Sequence, residues 1–277
     1  MSEKRRPKIG LALGSGGARG FAHIGVLKVL DEHDIPIDFI AGSSMGSMVG
    51  ALYANQIEPH MIEKLAANLK RKYWLDVMMP KMGFVSGQKI KEIIRLLTHG
   101  KNIEDLAIPL AVVATDIENG ERVVFREGPV DVAVRSSISI PGIFVPERVN
   151  GRLLVDGGVI DRVPITVTKE MGADIVIGID VANFDTVMKV TTIFDVIAQT
   201  IDVMEREILR YRILSADLLI RPEVGHISSL AYSNCNEIVD LGEKAALFYV
   251  DQIKEMIENW EEKDEQQPAF ESQLEQK

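Results

Sequence analysis

Short, β-branched apolar runs alternate along the chain with longer stretches in which apolar residues recur every three or four positions. That is the pattern of a largely parallel α/β sheet covered by helices. Ile9 to Leu13 reads as a first strand, and Gly20 to His33 as a helix with Ile24, Leu27 and Leu30 at core-facing spacing. Ile37 to Ala41 reads as a second strand and Met45 to Asn55 as the helix after it. Pro59 to Lys72 and Gln88 to Leu97 have the spacing of amphipathic helices, and Leu106 to Thr115 that of a buried strand. Glu121 to Arg126 and Gly151 to Val155 alternate like shorter strands, whereas Ala173 to Asp180 is continuously apolar. Thr192 to Ile213 and Asn236 to Trp260 predict long helices that would cover a sheet face. No repeat recurs at a fixed period.

Three of the junctions between these elements carry chemistry. The second strand ends in Gly42-Ser43-Ser44-Met45-Gly46, a G-x-S-x-G sequence followed at once by an apolar helix. Such a nucleophile elbow needs glycine on both sides of the serine, because Cβ atoms would collide in so tight a strand-to-helix turn. The helix then points its N-terminal dipole at whatever Ser44 attacks. A plain Gly/Ser turn satisfies the same five residues. The first strand ends in Gly14-Ser15-Gly16-Gly17-Ala18-Arg19-Gly20. A dinucleotide fingerprint would need glycine at position 19, and no G-K-[ST] follows for a phosphate loop. What remains is a run of backbone N–H groups at a helix start, which suits an oxyanion hole, or a tight crossover that needs glycine for packing. At the third junction, Leu153-Leu154-Val155 leads into Asp156-Gly157-Gly158, a carboxylate at a strand end or an Asp-Gly hairpin turn.

A serine nucleophile needs a base. The five histidines, His23, His33, His60, His99 and His226, are scattered and form no H-E-x-x-H, so no zinc site and no other metal or cofactor is expected. Asp156 is the alternative base. Ser44, Asp156 and His226 also follow the chain order of an α/β-hydrolase triad, a competing mechanism in which His226 would accept the proton. His23, beside the glycine loop, reads as a packed or loop-bonding residue.

Composition narrows the class. With 277 residues and 46% hydrophobic content the chain can bury one large core. The expected organisation is a single hydrolase domain over 1–260 and a disordered acidic, Gln-rich tail over 261–277. A net charge of −10 argues against a nucleic-acid partner. One cysteine, Cys235, fits a reducing, cytoplasmic compartment, and the N-terminus lacks the apolar region of a signal peptide. Lys4, Arg5, Arg6 and Lys8 read as a solvated basic terminus or a weak contact for anionic headgroups. No apolar run is long enough to span a bilayer, so at most the chain lies peripherally on one.

Taken together and in this order, G-S-G-G-A-R-G, G-S-S-M-G and D-G-G resemble the patatin-like phospholipase family over about residues 8 to 180, with Ala114-Thr115-Asp116 and Pro141-Gly142 resembling its bacterial branch. The resemblance implies a three-layer α/β/α sandwich with a mostly parallel central sheet, and a lipid acyl hydrolase with a Ser-Asp dyad. It implies Ser44 as nucleophile, Asp156 as base, and Gly16 and Gly17 as oxyanion donors. Gly14, Arg19, Gly20, Gly42, Gly46, Gly157 and Gly158 match the rest of the motifs, with Arg19 ordering the loop or meeting a phosphate. One departure is Ser15, where many members carry glycine. A short-chain carboxylesterase and a lipid-binding regulatory protein remain the alternative functions. The non-periodic segment Tyr73 to Phe84, which holds three of the eleven methionines and one of the two tryptophans, reads either as a cap that meets a lipid interface or as a buried loop.

Overall fold

The computed structural model describes residues 5–69, 71–79, 82–181, 190–212 and 216–261. The expected acidic tail from 262 onward and Lys4 fall outside them. An eight-stranded sheet forms the middle layer, from β1 (Ile9–Leu13), β2 (Phe39–Ser43), β3 (Leu110–Asp116), β4 (Glu121–Phe125), β5 (Glu147–Val149), β6 (Arg152–Asp156), β7 (Ile175–Ile179) and β8 (Leu218–Ile220). Strands β8, β7, β1, β2 and β3 run parallel in that spatial order, whereas β4 and β6 pair antiparallel with β3, and β5 with β6.

Ten helices among the described residues complete the fold: α1 (Ala22–Glu32), α2 (Met45–Ala54), α3 (Pro59–Asn68), α4 (Arg71–Trp74), α5 (Gln88–Leu97), α6 (Val130–Ser137), α7 (Ile165–Glu170), α8 (Ile193–Arg212), α9 (Cys235–Leu247) and α10 (Val250–Glu258). The parallel strands are buried on both faces, which is why they read as unbroken apolar runs. The two faces differ in size. Ile9, Leu11, Leu13, Ile40, Leu110, Val112 and Ile177 point to the large core beneath α1, α2 and α9. On the other face Ala12, Ala41 and Ala111 leave only a shallow layer, filled by Ile165 and Val167 of α7.

Gly25 of α1 and Gly242 of α9 face each other across a close helix crossing. A Cβ on Gly25 would overlap the Val239 carbonyl, and one on Gly242 the Ala22 carbonyl. The crossing clamps α9 onto the helix that follows the glycine loop.

Several boundaries differ from the periodicity. Strand β2 begins at Phe39 rather than Ile37, because the Asp38 carboxylate is used to accept the Ile9 N–H at 2.7 Å and the Arg6 guanidinium at 2.6 Å. Arg5 likewise pairs with Asp174 at 2.6 Å. These two residues of the basic terminus therefore tie the chain to the starts of β2 and β7, the strands on either side of β1, rather than lying free in solvent. Strand β3 starts at Leu110, after Ala107 and Ile108 have donated to the Ala54 carbonyl. The stretch from Asn236 to Trp260 is two helices, which break at Phe248 and Tyr249 so that Val250 and Ile253 turn back into the core.

Gly242→Val should force α9 away from α1, at about 1–3 kcal/mol. Thermal unfolding should show a fall in Tm of several degrees; an unchanged Tm would mean that the two helices are not in this contact.

Candidate active site

The three sequence junctions converge at one end of β3. Strand β4 pairs with β3 from Val112 to Asp116 and so occupies one edge of that strand. The other edge is shared. Strand β2 pairs along it up to Ser43 opposite Val113, and β6 takes over with Asp156 opposite Ala114. Because β2 is parallel and β6 antiparallel to β3, their C-terminal ends meet head to head. Ser44 and Asp156 are therefore neighbours in space although 112 residues apart in sequence.

Ser44 has φ 52° and ψ −123°, a conformation that L-residues rarely adopt and that rotates Oγ out of the strand-to-helix turn. The turn is tight: a Cβ on Gly42 would overlap Ser47, and one on Gly46 would overlap the Leu13 carbonyl. Ser137 of α6 holds it in place. Its hydroxyl accepts the Ser44 N–H at 2.8 Å and donates to the Val113 carbonyl at 2.6 Å. The sequence reading missed this residue, since it sits in a short β-branched helix that the periodicity did not identify.

The Ser44 hydroxyl donates to Asp156 Oδ2 at 2.5 Å, and Asp156 Oδ1 accepts the Gly158 N–H at 2.8 Å. The Asp156 backbone is fixed as well, its N–H donating to the Ser139 carbonyl at 2.9 Å and its carbonyl accepting the Thr115 hydroxyl at 2.8 Å. Gly157 lets the chain leave over β3, where a Cβ would overlap the Val113 carbonyl. Asp156 is buried, and burial raises its carboxyl to about 6; the bonds from Ser44 and Gly158 and the charge of Arg162 act in the opposite direction. A carboxylate with that basicity, bonded to a serine hydroxyl, can accept its proton near neutral pH.

The glycine loop lies against the same point. The N–H groups of Gly14, Ser15 and Ala18 donate to the carbonyls of Ile179, Arg162 and Ser229. Ser15 thus sits in an ordered loop despite its departure from glycine. No backbone carbonyl among the described residues accepts from Gly16 or Gly17, and both glycines line the space in front of Ser44. Gly17 has φ +56°, with the Ser229 carbonyl packed where a Cβ would stand. Gly20 packs under Met45. Arg19 is buried and bonds the Ile227 carbonyl at 2.7 Å and Asp202 at 3.1 Å, so it orders the loop rather than facing a phosphate. His23 is neutral, held by burial down at about 4, and its ring N–H donates to the Gly14 carbonyl at 2.8 Å.

His226 is not part of the site. Its ring is 53% exposed and faces Glu237 at 3.4 Å, so the triad reading is corrected: the acceptor beside Ser44 is the Asp156 carboxylate. A buried charge cluster stands on the far side of Asp156. Arg162, fully buried, pairs with Glu205 of α8 and lies 3.5 Å from Asp202 and 3.8 Å from Asp180. Burial holds the Glu205 carboxyl up at about 8 against the attraction of Arg162.

Ser44 borders two spaces, of which only the smaller has charged side chains in its lining. An apolar cavity of about 1030 Å³, counted with its open mouth, extends from Ser44 between α2, α3, α5 and α6, past Met48, Leu52, Ile62, Ile94 and Leu97. A smaller pocket of about 400 Å³, also counted with its open mouth, lies on the other side and has a mixed lining: Asp156, Asp202 and Glu205 stand beside Ile140, Ile201 and Leu230.

The family model described as patatin-like phospholipase matches residues 11–169. An uncharacterized NTE family protein of Mycobacterium tuberculosis is 42% identical over 176 residues, which are 62% of this chain and 49% of that protein. Lysophospholipase NTE1 of Cryptococcus neoformans is 38% identical over 184 residues, 64% of this chain and 11% of its own. The chain thus aligns with half or less of these longer relatives. The crystal structure of VipD from Legionella pneumophila superposes with a TM-score of 0.66 over 90% of this chain and 67% of that one, at 14% identity.

Ser137→Ala should leave the Ser44 N–H and the Val113 carbonyl without their shared partner. The expected cost is about 1–3 kcal/mol of stability, read as a lower Tm, together with slower labelling of Ser44 by a fluorophosphonate. Wild-type values for both would remove Ser137 from the support of the elbow.

Proposed function

The chain belongs to the patatin-like phospholipase family, and on that premise we propose that it is a lipid acyl hydrolase working through Ser44 and Asp156. The observation that carries the proposal is the position of Ser44, bonded to a buried carboxylate where an apolar cavity meets a smaller pocket that holds Asp202 and Glu205. An acyl ester lying across Ser44 would put its hydrocarbon chain in the cavity and its alcohol portion in the pocket. A phospholipid substrate would be met at a bilayer surface, by peripheral contact.

In this reading Asp156 takes the Ser44 proton as Oγ bonds to the ester carbonyl carbon. The Gly16 and Gly17 N–H groups hold the oxyanion, and each such donor is worth about 3 kcal/mol. When the carbon–oxygen bond to the alcohol breaks, Asp156 returns the proton to the departing oxygen, leaving an acyl group on Ser44. Water then gives its proton to Asp156, attacks the acyl carbon and releases the fatty acid, and Ser44 regains its proton. Asp156 must be ionised at the start of both halves. Since burial raises its carboxyl to about 6, the rate should rise as pH rises through that value. The same shift has the opposite sign for folding. The native state holds this proton more tightly than the unfolded chain does, so the stability it contributes is full at low pH and is lost as pH rises through about 6.

Fatty-acid release from phospholipid vesicles, measured beside turnover of a short-chain ester, tests the proposal. Wild type should act on both, and Ser44→Ala and Asp156→Asn should lose at least about a hundredfold while remaining folded. The wild-type pH profile should have its acid limb near 6. An active, folded Asp156→Asn protein would sink the dyad; short-ester turnover without lipid release would make the chain a small-ester hydrolase, and no turnover of either would leave the lipid-binding reading.

The cavity yields a separate test. Met45, Met48, Val49 and Leu52 line it from one face of α2, so Leu52 stands about 10 Å along the helix from Met45. Leu52→Trp should shift preference toward shorter acyl chains without loss of short-ester turnover. An unaltered chain-length profile in the folded variant would show that the acyl chain lies elsewhere.

A further inference from the structure

We propose that the hairpin after α4, together with the first turn of α8, is a docking surface for an anionic lipid bilayer, a proposal that rests on the reading of the cavity as an acyl site.

The segment read as either cap or buried loop turns out to be both, residue by residue. Trp74 and Val85 are buried, with the Trp74 ring 5.0 Å from that of Tyr232. They form a small cluster with Ile143 and Phe144. The residues between them behave differently. Val77 bridges to Val85, the Met78 N–H donates to the Phe84 carbonyl at 2.9 Å, and the Ser86 N–H donates to the Asp76 carbonyl at 2.9 Å. This hairpin leaves Val77, Met78, Met79 and Met82 exposed, Met79 by 84%, and Tyr73 of α4 before it is exposed as well.

Its base is rigid. The Asp76 carboxylate accepts N–H groups of Gly87 and Gln88 at the start of α5, while buried Arg135 donates to the carbonyls of Ser86 and Val145. The exposure of four large apolar residues among the described part of this hairpin is not explained by packing within the chain. The surface continues onto α8. The Phe84 and Phe194 rings meet edge to face at 5.3 Å, and Val190, Ile193 and Val196 beside Phe194 are exposed.

Two features identify the occupant as lipid of negative charge. The first is position: Leu69 and Trp74, which precede the hairpin, line the apolar cavity, and Leu69 is itself 39% exposed. The cavity therefore opens where the hairpin begins, so a bilayer seated there would face its mouth. The second is charge. In a chain of net charge −10, the stretch from Leu69 to Lys91 carries six basic residues and one acidic. Asp76 is used in capping α5 and Lys91 is paired with Glu147 at 2.6 Å; the sequence supplies five more, Lys89 and, known from the sequence alone, Lys70, Arg71, Lys72 and Lys81. Apolar residues interleaved with lysine and arginine suit the boundary between acyl chains and anionic headgroups. The acidic remainder of the chain would be repelled by anionic headgroups.

The test is co-sedimentation of Ser44→Ala protein with vesicles of phosphatidylcholine alone and of phosphatidylcholine mixed with phosphatidylglycerol. Two triple variants are compared, Val77→Ser/Met79→Ser/Ile193→Ser and Lys70→Glu/Arg71→Glu/Lys72→Glu. Binding should favour the mixed vesicles, weaken with added salt, and fall at least about tenfold in each variant. In a Ser44 background the same variants should keep short-ester turnover, which establishes that they fold. Equal binding by wild type and variants, or none to mixed vesicles, would overturn the proposal. So would a concentration-dependent dimer abolished by the apolar triple, which would assign the surface to a second copy. Vesicle binding by a wild type that releases no fatty acid would leave the docking surface standing and remove the hydrolase reading.

Discussion

Everything in the site depends on β2 and β6 meeting head to head along one edge of β3. Strand ends in a parallel sheet normally lie side by side, each followed by its own helix, and present their loops to a common crevice. Here an antiparallel strand enters the same edge from the opposite direction, and the residue that ends it faces the residue that ends β2. The hydrogen bond between Ser44 and Asp156 is therefore set by backbone register, not by long flexible side chains. Two short side chains suffice. The cost of that approach falls on the chain around it: Ser44 adopts a strained conformation, and Gly42, Gly46 and Gly157 remove every Cβ that would collide.

The same geometry gives the site two sides. Helix α2 departs from Ser44 into the large core, so the helix that supplies the elbow also supplies one wall of the apolar cavity. The chain leaving Asp156 passes instead to Arg162, Asp180 and α8, where charges are buried together. Buried charges of this kind are seldom a net gain in stability. Their arrangement does keep the carboxylate of Asp156 in a dry, polar setting, with Arg162 moderating the effect of burial. Helix α8 connects that cluster, through Asp202 and Arg19, to the glycine loop, and at its other end it meets the methionine-rich hairpin. One helix thus borders the smaller pocket, the glycine loop and the exposed apolar surface.

Much of this was legible in the sequence, because the strongest local signals are the ones the site requires. A β-branched run that ends in glycines can be read without structure, and three such runs placed Ser44, Asp156, Gly16 and Gly17 at strand ends. What sequence could not supply was which strands share an edge. Strand β5 and helices α6 and α7 are too short for a period to register, and Ser137 lies in one of them, so the support of the elbow stayed hidden. The same holds for Glu205, one acidic position on a long amphipathic helix. His226 illustrates the opposite error, since chain order suggested a triad and the fold turns that ring toward solvent. The segment around Trp74 read as either an interfacial cap or a buried loop, and its described residues divide between the two: Trp74 packs inward while Met78, Met79 and Met82 are exposed.

The central claim is that Ser44 is activated by Asp156 at the inner end of an acyl cavity. The most direct measurement is peptide mapping of the protein after reaction with two alkyl fluorophosphonates, one with a methyl group and one with a long chain. A single adduct on Ser44, formed faster by the long-chain probe and lost in Asp156→Asn, is the predicted result. Absence of an adduct on Ser44, or equal rates for the two probes, would contradict it.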